Sequence, residues 1–278
     1  MQLRIAGSHS KVVSCFALLS ACGGFDSQNL ARYPTSAVAA SPYRGATQTY
    51  EPARGSIAEA QVAPDRPGLG TTFGEQVYAP VSFTPFVRAA ASPWADVLLH
   101  YNDAAGIDAH AAYLGAQPQP LEVYAGDGSL AVALVDETGR TLPGLQAGGR
   151  TLIVGEDNQR YRIVVRNATT ARFEVVASVD GLDVIDGKPA DPNRRGYIVD
   201  PHDSLVIDGF RTSDANVAAF RFGRVADSYA AQTSGDRNVG VVGLAIYSEQ
   251  GASWTPVEIE RRDSANAFPS RGYAMPPR

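Results

Sequence analysis

Cysteine is almost absent: Cys15 and Cys22 are the only two in 278 residues. Two thiols cannot build a disulfide-rich scaffold or a four-thiolate zinc site. Lysine is as scarce. With Lys11 and Lys188 alone, 22 of the 24 basic side chains are arginine, a bias that points to a GC-rich genome more than to chemistry. A basic excess is also missing. The 24 Lys and Arg stand against 29 Asp and Glu, a formal net charge of −5. That balance argues against nucleic acid as a partner, which would need a basic face. No apolar run reaches the roughly 20 residues of a membrane-spanning helix. There is no Gly-x-Ser-x-Gly elbow, phosphate-binding loop or dinucleotide fingerprint. His9, His100, His110 and His202 lie too far apart for zinc-like spacing. His202-Asp203-Ser204 holds hydrolase residue types, but neighbours on an extended chain point to opposite faces. No catalytic residue is assigned, and the chain is not expected to be an enzyme.

What is present begins at the front. Met1 to Lys11 carries Arg4 and Lys11 and no acid. Val12 to Ala21 is apolar apart from Ser14, Cys15 and Ser20. This is the charged-then-apolar pattern of a secretory leader. Its end, Leu19-Ser20-Ala21-Cys22, resembles a bacterial lipobox, with Gly23-Gly24 following. The resemblance implies a lipoprotein cleaved before Cys22, with a covalent diacylglycerol and an N-acyl chain at Cys22 and no other cofactor. Loss of Arg4 and Lys11 would take the formal charge from −5 to −7. Gly23, in place of the Asp that retains lipoproteins at the inner membrane, favours a lipid anchor in the outer membrane, facing the periplasm. The alternative is an ordinary secretory signal that contains Cys22.

Composition divides the rest. Residues 1–21 read as leader, and 22–68 as an Ala/Ser/Pro-rich flexible, disordered tether with no period of two or 3.6. Residues 69–262 read as the folded domain, and 263–278 as a disordered tail. A 44% hydrophobic content suffices for a core. Asp103 to Leu114 is Ala-rich and reads as a short helix. Trp94 to Tyr101 is ambiguous, with Ser92-Pro93 as a helix start but Val97, Leu99 and Tyr101 alternating. From Leu121 onward the pattern is short strands separated by turns. They run over Leu121–Tyr124, Leu130–Val135, Thr151–Val154, Tyr161–Arg166, Phe173–Val179, Gly196–Val199, Ser204–Ile207, Val217–Phe222, Val239–Tyr247 and Val257–Glu260. Asp180-Gly181, Asp186-Gly187 and Asp208-Gly209 read as tight turns. The expected fold is mainly β, a single antiparallel β-sandwich-like domain with one or two short helices.

Two sets of residues suggest sites. Tyr161, Ile163 and Val165 alternate, as do Phe173, Val175 and Ala177. A hairpin through residues 167–171 would pair the two sets and bring Arg166 opposite Arg172. Arg160, Arg162, Arg166 and Arg172 would then line one outer face, either solvated or able to bind an anion. Asp180, Asp183 and Asp186, spaced by three, could form a calcium loop, although each also has a turn explanation. Arg194-Arg195 and Arg211 with Tyr197 offer a weaker anion site. Gly240 and Gly243, inside an apolar strand, mark either a binding groove or a bend.

The stretches Arg160–Asn167, Ser178–Gly187, Arg195–Pro201, Ile207–Arg211, Ala218–Phe222, Asp227–Ala231 and Asn238–Gly243 resemble, in that order, a family of uncharacterised proteobacterial proteins, often secreted or lipid-anchored. Arg66–Thr71 resembles the start of that family. The resemblance implies one folded unit and supplies no activity. The expected function is an outer-membrane-anchored, non-enzymatic interaction or structural module of the cell envelope, with an envelope protein or polymer as partner. Two alternatives stay open: a periplasmic hydrolase or carbohydrate-active enzyme using Asp/Glu pairs, and a calcium- or sugar-binding module.

Overall fold

The computed structural model describes residues 2–5 and 68–254. Cys22, the expected 22–68 tether except its last residue, the last expected strand and the tail lie outside the described residues.

Strands β1 (Gln2–Ile5), β2 (Leu69–Tyr78), β3 (Val81–Thr84) and β4 (Ala95–Asn102) precede helix α1 (Ala104–Leu114). Next come β5 (Gln119–Pro120), β6 (Val123–Ala125), β7 (Leu130–Asp136), β8 (Pro143–Ala147), β9 (Arg150–Val154), β10 (Arg160–Asn167), β11 (Phe173–Val179) and β12 (Leu182–Asp183). Then follow β13 (Tyr197–Val199), β14 (Ser204–Ile207), β15 (Gly209–Arg211), β16 (Asn216–Arg224), helix α2 (Tyr229–Thr233) and β17 (Val241–Ser248). The larger sheet runs β3-β1-β13-β11-β17-β4-β9-β8-β5, with β12 on β11. The smaller runs β15-β16-β10-β7-β6, with β2 on β16 and β14 on β10. This is the β-sandwich-like architecture expected. It is antiparallel except where β1 meets β13 and β4 meets β9.

Period-two patterning builds the core. In β4, Val97, Leu99 and Tyr101 are buried, while Asp96, Leu98 and His100 face the other way. Together with Tyr161, Ile163, Val165, Phe173, Val175 and Ala177 they join one apolar cluster between the sheets. The ambiguous Trp94–Tyr101 stretch is therefore a strand. The helix after it starts at Asp103, whose carboxylate accepts from Gly106 N at 2.7 Å. It stops at Gly115, which takes the left-handed conformation (φ 61°).

Two expectations need correction. First, β10 and β11 do not form a hairpin. β10 pairs with β7, β14 and β16, and β11 with β12, β13 and β17. The intervening loop carries the chain from one sheet to the other. Asn167 holds that crossing by donating to the carbonyls of Ala171 (2.7 Å) and Asp200 (2.8 Å). The two apolar sets do meet, but face to face across the core. Alternation reveals which face is apolar, not whether its partner lies beside or opposite. Second, Asp208-Gly209 is no tight turn. It links β14 to β15, and a Cβ on Gly209 would lie 1.8 Å from the Ala218 carbonyl. Four residues of the expected leader form β1, with Leu3 fully buried.

One buried carboxylate ties the sandwich together. Asp180, at the turn after β11, accepts from Thr71 N of β2 (2.7 Å), Tyr101 Oη of β4 (2.5 Å) and Gly240 N before β17 (2.9 Å). Thr71 Oγ1 shares hydrogen bonds with Tyr101 (2.8 Å) and with Tyr161 of β10 (2.6 Å). Burial pushes the Asp180 pKa up, and these donors oppose the shift. Asp180→Asn would turn a donor toward Thr71 N or Gly240 N. It should destabilise the fold by about 3 kcal/mol in urea unfolding. Tyr161→Phe leaves Thr71 its Tyr101 partner and should cost about 1 kcal/mol.

Asp136, ending β7, shows the opposite shift. The Thr138 hydroxyl above all, with Arg140 and both their backbone N–H groups, holds its pKa at about 2. Its contribution is complete above the ordinary carboxylate range near about 4. It is lost as pH falls through about 2. Asp136→Asn should therefore be about 1 kcal/mol less stable at pH 7. Unfolding curves recorded between neutral and strongly acid pH should show that gap closing.

Candidate functional site

The outward residues of the larger sheet define a depression. Across the ladder, Leu98 of β4 sits beside Gly243 of β17, which sits beside Ser178 of β11. One step along, Asp96, Ala245 and Val176 form the next row. At one side of this surface α1 covers the sheet, with Ile107 and Ala111 packed on Leu145 and Leu152. At the other, Phe86 packs on Val176, Ile198 and Tyr247. The floor between has small side chains, and a cavity of about 320 Å³ opens there. Pro192 and Asp191 form its wall, Asp96 its rim. Leu98 is an apolar residue left 55% exposed on that floor.

The wall is held by a buried ion pair. Arg88 Nε donates to Glu174 Oε2 at 2.7 Å and its Nη2 to Oε1 at 3.2 Å. The same guanidinium donates to the carbonyls of Pro192 (3.2 Å) and Arg194 (2.5 Å). It lies 3.7 Å from the ring centre of Tyr247, close enough for a cation–π contact. Tyr247 Oη donates to Pro192 O at 2.9 Å, and Gly196 N to Glu174 Oε1 at 2.7 Å. Glu174 is wholly buried, so its charge depends on these partners.

The groove can bind apolar surface by contact, and its sheet backbone is already paired within the ladder. Asp96 and Asp191 can accept hydrogen bonds or neutralise a cation. Among the described residues, no basic side chain and no aromatic ring lines it. The chemistry suits an aliphatic segment carrying a basic group better than a sugar, which would stack on rings.

The charged residues singled out from sequence lie elsewhere. Arg160 reaches Asp208 (3.4 Å) and Glu75 (3.8 Å), and Arg162 donates to the carbonyls of Asp136 (3.0 Å) and Glu137 (3.3 Å). Arg166 pairs with Glu122, and Arg172, at the start of the other sheet's β11, with Glu249. The four do not form one cationic face. Asp180, Asp183 and Asp186 are not brought together either. Asp180 faces the core network. Asp183 accepts from Ile185 N (2.7 Å) and Asp186 N (3.3 Å), and Asp186 pairs with Arg194. Among the described residues, no group of three or more His, Cys, Asp or Glu could hold a metal ion. Arg211 donates to Tyr197 Oη at 2.8 Å and to the carbonyls of Ala79 and Ser213, which fastens strands. His202 sits in a turn with φ 53°.

Gly243 is the one groove residue flagged by sequence, and it lies on the floor. Gly240 instead occupies a turn at φ 91° and donates to Asp180. The signal that went unread was Leu98, an apolar residue on the polar side of an alternating strand. Arg88 and Glu174 carried no signal, because their pairing spans 86 positions. No protein-family model, curated protein or solved structure matches the chain.

Arg88→Ala would leave Glu174 buried without its cation. Unfolding should show a loss of about 3 kcal/mol. Hydrogen exchange should show faster exchange at the Asn193–Gly196 amides, and unchanged exchange in β7 and β10.

Proposed function

We propose that this chain is a non-enzymatic interaction module of the bacterial envelope, lipid-anchored at Cys22 in the outer membrane, whose groove binds an apolar, basic segment of an envelope protein. The observation that carries the binding role is the groove itself. It has an exposed Leu98 on a glycine-floored surface, two lining carboxylates, Asp96 and Asp191, with no base among the described lining residues, and a wall fixed by Arg88. A surface held open by a buried ion pair supports recognition rather than loose packing. The membrane role is supported by the leader-like start and by the residues before Cys22. Acyl chains on that cysteine would hold the protein in the leaflet. The buried acids of the fold engage structural donors, which weighs against acid–base catalysis from them.

Two measurements test this. Cys22→Ala should release the protein from membranes and abolish incorporation of labelled palmitate. A wild type that takes up no label ends the anchoring claim. A photo-crosslinking residue at Leu98 should capture a defined envelope protein in cells. Gly243→Val should abolish that capture while leaving the fold stable. A Cβ there meets only Ser178 Oγ, at 2.9 Å, and valine suits a strand. Capture that survives Gly243→Val would show that the groove is not the contact.

A further inference from the structure

Strand β1 lies between β3 and β13 in the larger sheet. It pairs with β3 over four residues, Gln2↔Thr84 to Ile5↔Val81. It runs parallel to β13, with Leu3 beside Tyr197 and Leu3 N donating to Gly196 O at 3.1 Å. Leu3 belongs to the main core cluster, and Ile5 packs against it. Arg4 Nη2 lies 2.5 Å from Asp200 Oδ2. These four residues thus define a slot: an apolar hole, an acid beside it, a second apolar contact, and two backbone edges. Yet they belong to the segment that reads as leader. If residues 1–21 are removed, β13 keeps β11 but loses its neighbour on the other side. Its three residues, all buried here, would present an open edge next to an empty core position, and β3 would lose its link to the sheet. An unpaired edge of this kind is a template for another strand.

We propose that this slot is a strand-acceptor site, filled in the processed protein by an extended polypeptide segment of an envelope partner. The occupant carries a large apolar residue followed directly by a basic one, with a second apolar residue after it. This rests on the leader reading above and goes beyond it, since the groove around Leu98 plays no part. Recognition is β-addition. Backbone hydrogen bonds to β3 and β13 supply affinity, and the hole and Asp200 supply specificity. The chain's own residues 23–67 match the slot poorly. Their apolar–Arg pairs are Ala31-Arg32, Tyr43-Arg44 and Ala53-Arg54. Alanine underfills the Leu3 hole and tyrosine overfills it. The leader strand itself is an imperfect guest, because Gln2 Oε1 is buried without a hydrogen-bond partner. A segment with an apolar residue there would bind better.

The test uses protein extracted in detergent from membranes of cells expressing the full chain. Intact mass first establishes the N-terminus. A fluorescent peptide of residues 1–8, Met-Gln-Leu-Arg-Ile-Ala-Gly-Ser, is then titrated by anisotropy. Saturable micromolar binding is expected. The Leu3→Asp peptide should lose at least about tenfold in affinity, and the Gln2→Val peptide should gain several-fold. Arg4→Ala in the peptide and Asp200→Ala in the protein should each cost about fivefold, and together no more than either alone. If residues 1–21 remain attached, the slot is never vacated, and this proposal falls with the leader reading. If they are gone and the peptide does not bind, this proposal alone fails. That holds whether the slot stays open or is taken by residues 23–67 or by a second copy. Equal binding of the Leu3→Asp peptide also overturns it.

Discussion

A single buried carboxylate sets the geometry on which the rest depends. Asp180 is drawn into the core by its own backbone, at φ 55° with Gly181 at φ 78°, so the side chain points inward where the chain reverses. A charge in that position is costly unless it is saturated with donors. Saturation requires Thr71, Tyr101 and Gly240 to arrive together, and each brings its strand with it. The requirement joins the two sheets at one end and fixes how β4 and β17 lie against β11. Those strands make the groove floor, so the interior contact governs the exterior surface.

The groove combines two kinds of stabilisation. Its floor is plain sheet, paired on every side and rigid by cooperation. Its wall is a loop outside the named strands, fastened by the Arg88 guanidinium, by the Tyr247 hydroxyl and by its own turn hydrogen bonds. Arg88 offers five N–H donors in a planar fork, enough to grip a carboxylate and two carbonyls at once while its face rests on Tyr247. Lysine could not replace it, because an ammonium has neither the fork nor the flat face.

The strands were legible wherever local pattern decides them. Phe173–Val179 and Ser204–Ile207 were delimited correctly, and the Ala-rich run from Asp103 to Leu114 announced α1. What could not be seen was pairing. β2 pairs with β16 across almost the whole domain, as the Thr72 to Arg221 hydrogen bond, 149 positions long, shows. Tight turns announce neighbours, but strands that change sheet carry no such mark, and so β10 and β11 looked like a hairpin. The arginines misled for a related reason. Their acids, Glu75 in β2 and Glu122, Asp208 and Glu249 in links beside other strands, come from elsewhere in the sequence, so Arg160, Arg166 and Arg172 became ion-paired in space. Gly243 was visible as an oddity, yet its meaning depended on Leu98 and Ser178 arriving beside it.

The far edge of the larger sheet ends in β5 and β8, where Pro120 stands opposite Pro143. Proline has no N–H to offer a further strand. Pro120 therefore withholds one donor from the edge that β5 presents, and β5 itself is only two residues long. A strand arriving there finds a weaker template than an edge with every N–H free. Brevity and proline together thus work against sheet-to-sheet growth on that side.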